Sequence, residues 1–131
     1  MLERGAIYRY SYLWAREFDA GEESGRKDRP ACLLVRPPSQ PEIMFMFAIT
    51  SQQPRDGRIF DTMPKDECRR CGLKPPAWIM LDEYNIAIES ELHDFSSLEP
   101  LGKLSPSYLK KISLAALALA RQNAMRAIQR N

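Results

Sequence analysis

The sequence is poor in the residues on which metal and redox chemistry depend. It holds one histidine, His93, and three cysteines in 131 residues. An odd cysteine count argues against a disulfide framework. Cys68 and Cys71 form a CxxC, but a structural zinc takes four ligands. Only Cys32, inside an apolar run, and His93 remain to complete such a set. With no second CxxC and no histidine pair, the two cysteines read as neighbours on a short helical turn, and no metal or cofactor is expected. Long apolar runs are missing too. The longest, residues 43–49 and 114–120, fall far short of the roughly 20 residues that span a bilayer. Met1-Leu2-Glu3-Arg4-Gly5 carries no apolar signal core, so a cytoplasmic protein with no membrane partner is expected. Acid is absent from one stretch. Residues 101–131 hold six bases (Lys103, Lys110, Lys111, Arg121, Arg126, Arg130) and no Asp or Glu, which leaves −4 on the remainder of a chain whose net charge is +2. Such a basic stretch meets nucleic acid or an acidic partner, or it is simply a solvated helix face. Repeats, low-complexity tracts and linkers are lacking, and the length is that of one domain spanning residues 1–131.

What is present alternates short apolar runs with turn-forming residues. Residues 6–13, rich in Tyr, Ile and Leu, read as a first strand. Residues 15–28 are polar and punctuated by Gly21 and Gly25, the pattern of a surface loop. Residues 30–35 and 43–50 read as strands, separated by Pro37-Pro38-Ser39-Gln40-Pro41, which cannot continue a ladder because proline lacks the N–H. A loop follows at 52–57, then a short helix over 64–73, opened by Pro64 and closing near Gly72. Residues 78–81 form a strand running into Asp82-Glu83-Tyr84-Asn85, and 98–104 a last short strand. Ser105-Pro106 supplies an N-cap and a first-turn proline for a final helix reaching about Ile128. Five or six strands and one long helix predict a mostly β (α+β) fold, a small bent antiparallel barrel whose closure hides its edges. The middle of the helix, residues 112–120, is apolar almost all round. It therefore needs cover on more than one side, from the barrel and from a second contact such as a dimer partner.

Three places carry chemistry. In Gly25-Arg26-Lys27-Asp28-Arg29-Pro30 a polar loop runs straight into a strand, and Pro30 stiffens the entry. Arg29 there suits phosphate, because a guanidinium is planar, multiply donating and always charged; the alternative is an ion pair with Asp28 or a loop carboxylate. Thr50 and Ser51 place two hydroxyls where a strand meets a loop. Such groups donate to phosphoryl oxygens or cap local backbone. Asp82, past a strand end, is either a general base or a turn former. His93, alone in a polar stretch, reads as exposed.

Taken in order, these pieces resemble the MazF/PemK family of type II toxin–antitoxin ribonucleases. The match runs through Gly5-Ala6-Ile7-Tyr8, the glycine-flanked loop ending in Arg29-Pro30, Ile49-Thr50-Ser51, the strand from Trp78 to Glu83, and Leu101-Gly102-Lys103-Leu104. Tyr12-Leu13-Trp14, Gly25-Arg26-Lys27, residues 69–73 and 82–85 are similar to a PemK-like branch. The resemblance implies an SH3-like barrel, a homodimer, that cuts single-stranded RNA without a metal and is silenced by a cognate antitoxin protein. It puts the catalytic roles on Arg29, Thr50, Asp82 and Glu22 or Glu23, with Ser51 beside them. Some relatives carry an arginine where this chain has Met80 or Asn85, so the cationic role passes to Arg26 or Lys27. Lys110 and Lys111, on outer turns of the helix, would flank a groove for RNA or for an acidic antitoxin segment. The competing expectation is a non-catalytic module of the same fold that binds RNA or protein without cutting.

Overall fold

The computed structural model describes residues 1–25 and 27–130. In chain order the elements are β1 (Ala6–Tyr10), α1 (Ala15–Asp19), β2 (Arg29–Val35), β3 (Ile43–Thr50), β4 (Phe60–Thr62), α2 (Lys65–Arg70), β5 (Trp78–Met80), β6 (Glu83–Ile88), β7 (Gly102–Lys103), α3 (Pro106–Arg121) and β8 (Arg126–Gln129). The fold is mostly β, a small α+β barrel in which one sheet curls into a half-barrel under the long helix α3. Among the described residues no helix is long and apolar enough to cross a membrane.

Strand β3 bends the sheet. One edge pairs with β2, from Ala31 opposite Ala48 to Val35 opposite Phe45. On the other edge its first half pairs with β6 (Ile43 opposite Ile88, Met46 opposite Asn85). Its second half pairs with β5 (Ile49 opposite Ile79, Thr50 opposite Trp78). A strand with two partners on one edge must turn between them, and a register shift between Leu33 and Val35 adds to the twist. The rest of the path runs β2–β1–β7 on one side and β5–β4 on the other.

Side chains alternate along these strands, so each strand feeds two cores. Ala6, Tyr8 and Tyr10 of β1, Ala31 and Leu33 of β2, and Met44, Met46 and Ala48 of β3 fill one core with Tyr12, Trp14 and Phe95. Ile7, Cys32, Leu34, Phe47 and Ile49 fill the other, beneath Tyr108, Ile112 and Ala116 of α3. Burial on both faces explains why the strands read as unbroken apolar runs. The start of α3 is fixed by Ser105, whose hydroxyl accepts from the Tyr108 N–H (3.3 Å) and donates to Glu67 Oε2 of α2 (2.6 Å).

Several expectations are corrected. The helix stops at Arg121 rather than continuing to Ile128, because Asn123 takes a left-handed conformation (φ 54°). Residues 126–129 become β8 instead, parallel to β6, with Ile128 buried. The strand expected over 78–81 ends at Met80, and the Glu83-Tyr84-Asn85 it runs into opens a further strand, β6. The loop over 15–28 contains α1, and the last short strand before α3 shrinks to Gly102–Lys103. Cys32, Cys68 and Cys71 are buried free thiols, and burial raises the pKa of each, that of Cys71 to about 11. Among the described residues no group of three or more His, Cys, Asp or Glu is placed to hold a metal.

Candidate active site

The segment after β1 builds the barrel mouth. Buried Asn85 pins it from below: its Oδ1 accepts from the Leu13 N–H (2.9 Å) and its Nδ2 donates to the Leu13 carbonyl (2.8 Å). Glu83, also buried, accepts from the Tyr12 hydroxyl (3.1 Å) and the Ala15 N–H (2.9 Å). The chain then turns into α1, where the Glu17 carboxylate reaches back to accept from the Trp14 N–H (3.0 Å). The loop returning to β2 crosses so close to β1 that a Cβ on Gly25 would lie 2.3 Å from the Tyr12 carbonyl oxygen. Only glycine permits that crossing, and it delivers Arg29 to the first position of β2, opposite Tyr10.

Arg29 faces the end of β3 across a cleft of about 630 Å³. Lys27, Arg29, Thr50 and Ser51 line it together. Arg16, Arg55 and Arg58 line it too, with Gln52, Gln53, Trp14 and Met80, and Glu17 is the one acidic residue among them. Among the described residues five bases line it against one acid, and although Arg58 is paired with Asp82 and Glu83, the remaining four still favour an anion. The Arg29 guanidinium carbon lies 5.0 Å from the centre of the Trp14 ring, and that of Arg16 lies 5.2 Å from it. Among the described residues Arg29 Nε, which is buried, has no hydrogen-bond partner. Burial lowers the Arg29 pKa from its ordinary value, while the charge of Glu17 pulls it the other way.

The hydroxyl of Thr50 accepts from the Gln52 N–H (3.1 Å), a local turn contact, and its own proton has only a 3.4 Å contact to the Gln52 carbonyl. Asp82 stands outside the lining, committed to Arg58. Its two oxygens accept from Arg58 Nε (2.7 Å) and Nη2 (2.8 Å), and from the Ile59 N–H (3.1 Å). Burial alone would raise its pKa, but the Arg58 donors, the Ile59 N–H and the Arg58 charge outweigh it and hold the carboxyl below its usual range.

The remaining expected residues fall elsewhere. Glu22 and Glu23 follow α1 outside the lining, the first half-buried and the second exposed. Arg26 lies outside the described residues. Lys110 and Lys111 are exposed on α3, not in the cleft, and Lys111 pairs with Asp61 of β4 at 3.6 Å. Met80 lines the cleft, whereas the Asn85 side chain is interior and accepts from Arg130 Nη1 at 3.0 Å. His93 is exposed. Sequence reasoning overlooked Trp14, Arg16, Glu17, Gln52, Gln53, Arg55 and Arg58. No sequence signal marked the turn at 14–17: Glu17 accepts from the Trp14 N–H, but tryptophan at the N-cap does not match the Ser/Thr pattern by which such a box is read. No family model and no curated protein matches the chain.

Proposed function

We propose that this chain is the toxin of a type II toxin–antitoxin pair, an endoribonuclease that cuts single-stranded RNA through the RNA's own 2′-hydroxyl and without a metal. The observation that carries the reading is Arg29. It lines one cationic cleft with Lys27, Thr50 and Ser51, residues that the MazF/PemK resemblance also singles out, and among the described residues its buried Nε has no partner.

Attack by the 2′-oxygen must be in line with the departing 5′-oxygen, a geometry that A-form duplex does not offer, so the substrate is single-stranded. Arg29 neutralises the charge that builds on the phosphoryl oxygens. The Thr50 proton, weakly held at 3.4 Å, turns from the Gln52 carbonyl to a non-bridging oxygen. Arg16, Lys27 and Arg55 hold flanking phosphates. Two protein partners belong to the same reading, a second copy of the chain and an acidic antitoxin. Leu114 and Leu117 of α3 are 57% and 46% exposed. Leu117 borders an apolar groove of about 440 Å³ walled by Phe45, Phe47, Tyr84 and Met125.

The test is purified protein on single-stranded RNA in the presence of a chelator. The products should end in a 2′,3′-cyclic phosphate and a 5′-hydroxyl. Cleavage abolished by the chelator, or surviving a 2′-deoxy substitution at the cut, overturns the mechanism. The commitment of Asp82 to Arg58 favours a second reading, a module that binds RNA without cutting it. Arg29→Ala separates the two: an enzyme loses roughly 10²-fold or more in turnover, whereas a binder loses affinity alone.

A further inference from the structure

We propose that Glu17 is the base that takes the 2′-hydroxyl proton in this cleft, an inference that rests on the ribonuclease reading above. Transesterification needs a proton acceptor beside the group that neutralises the phosphate. Among the described residues Glu17 is the one carboxylate in the lining that contains Arg29 and Thr50. It is 6% exposed, and one of its oxygens is fixed by the Trp14 N–H at 3.0 Å on the first turn of α1. It stands close enough for its charge to bear on Arg29. The other carboxylates are worse placed. Asp82, Glu22 and Glu23 are not in the lining.

The step balances without a co-reactant other than water. The Glu17 carboxylate takes the 2′-hydroxyl proton as the O2′–P bond forms. The P–O5′ bond breaks, and the 5′-oxygen leaves with a proton from water. The proton on Glu17 then passes to solvent.

Glu17→Gln keeps the acceptor for the Trp14 N–H and the size of the side chain while removing the base. Single-turnover cleavage of a single-stranded RNA should slow by roughly 10²-fold or more. Affinity for the all-2′-deoxy analogue should not weaken. Cleavage at the wild-type rate overturns the proposal. Parallel loss of rate and affinity overturns it as well, since that marks a structural role. If Glu17→Gln unfolds by circular dichroism, Glu17→Asp decides: a slowed rate with unchanged affinity for the all-2′-deoxy analogue supports the base, and an unchanged rate overturns it. Wild-type protein that leaves RNA intact sinks the ribonuclease reading and this inference together, whereas wild type and Glu17→Gln cleaving alike sink Glu17 alone.

Discussion

Asn85 has no exposed surface, and both ends of its amide are spent. Its oxygen accepts from the Leu13 N–H and from Arg130, and its nitrogen donates to the Leu13 carbonyl. Asn85→Leu would keep the volume and strand the Leu13 amide and carbonyl in the interior, while Arg130 keeps the Ser11 carbonyl and Asp94 as partners. Each unpaired group costs about 1–3 kcal/mol, so denaturant unfolding should show a loss of at least about 2 kcal/mol. A change under about 1 kcal/mol would mean that water replaces the amide. Asp82 governs a different variable. Its folded pKa lies below the ordinary carboxylate value, so its contribution to stability is present above about pH 4 and is lost as pH falls through the depressed value. Asp82→Asn should therefore unfold at a lower temperature than wild type near neutrality, with the gap closing in acid. Melting curves at both ends of the range check this, and a gap independent of pH would contradict it.

Among the elements, α3 depends most on one side chain. Ser105 accepts from the Tyr108 N–H and also satisfies buried Glu67 with its hydroxyl and its own N–H. Ser105→Ala should lower stability by about 1–2 kcal/mol in chemical denaturation, and a neutral result would show that water caps the helix equally well. This cap was legible in Ser105-Pro106, as were strands β2 and β3 from their apolar runs. Strand β6 was not, because its inward positions include Glu83 and Asn85. Polar residues at inward positions reverse the pattern by which strands are read, and their partners, Tyr12, Leu13, Ala15 and Arg130, lie far away in sequence. The overrun of α3 has a local cause. Ala124, Met125 and Ala127 favour a helix by composition, and only Asn123 marks the stop. In the cleft, Arg29 and Thr50 were legible because each abuts a strand boundary. Glu17 was hidden inside a stretch read as loop, and Arg55 and Arg58 join the lining only through the curl of the sheet.

At the scale of the whole molecule, α3 divides its apolar residues between two environments. Tyr108, Ile112 and Ala116 are buried, whereas Leu114 and Leu117 face outward. A self-complementary C2 contact over that face is the usual solution. Light scattering should return about twice the 15.1 kDa chain mass, and Leu117→Glu should return it to one chain; a wild-type mass of one chain would dismiss the contact. The uneven charge of the cleft reaches further than shape. Arg58 is already neutralised by Asp82 and Glu83, which on the proposed ribonuclease reading leaves Arg16, Lys27, Arg29 and Arg55 of the lining to meet phosphates. Each phosphate so met gives up the counterions condensed on it, and dissolved salt competes for every one of them. The logarithm of RNA affinity should therefore fall along a line of slope about −3 against the logarithm of salt concentration. Removing Arg55 should flatten that line by roughly a quarter, so the ionic strength of the surroundings becomes a control on how long a strand stays in the cleft.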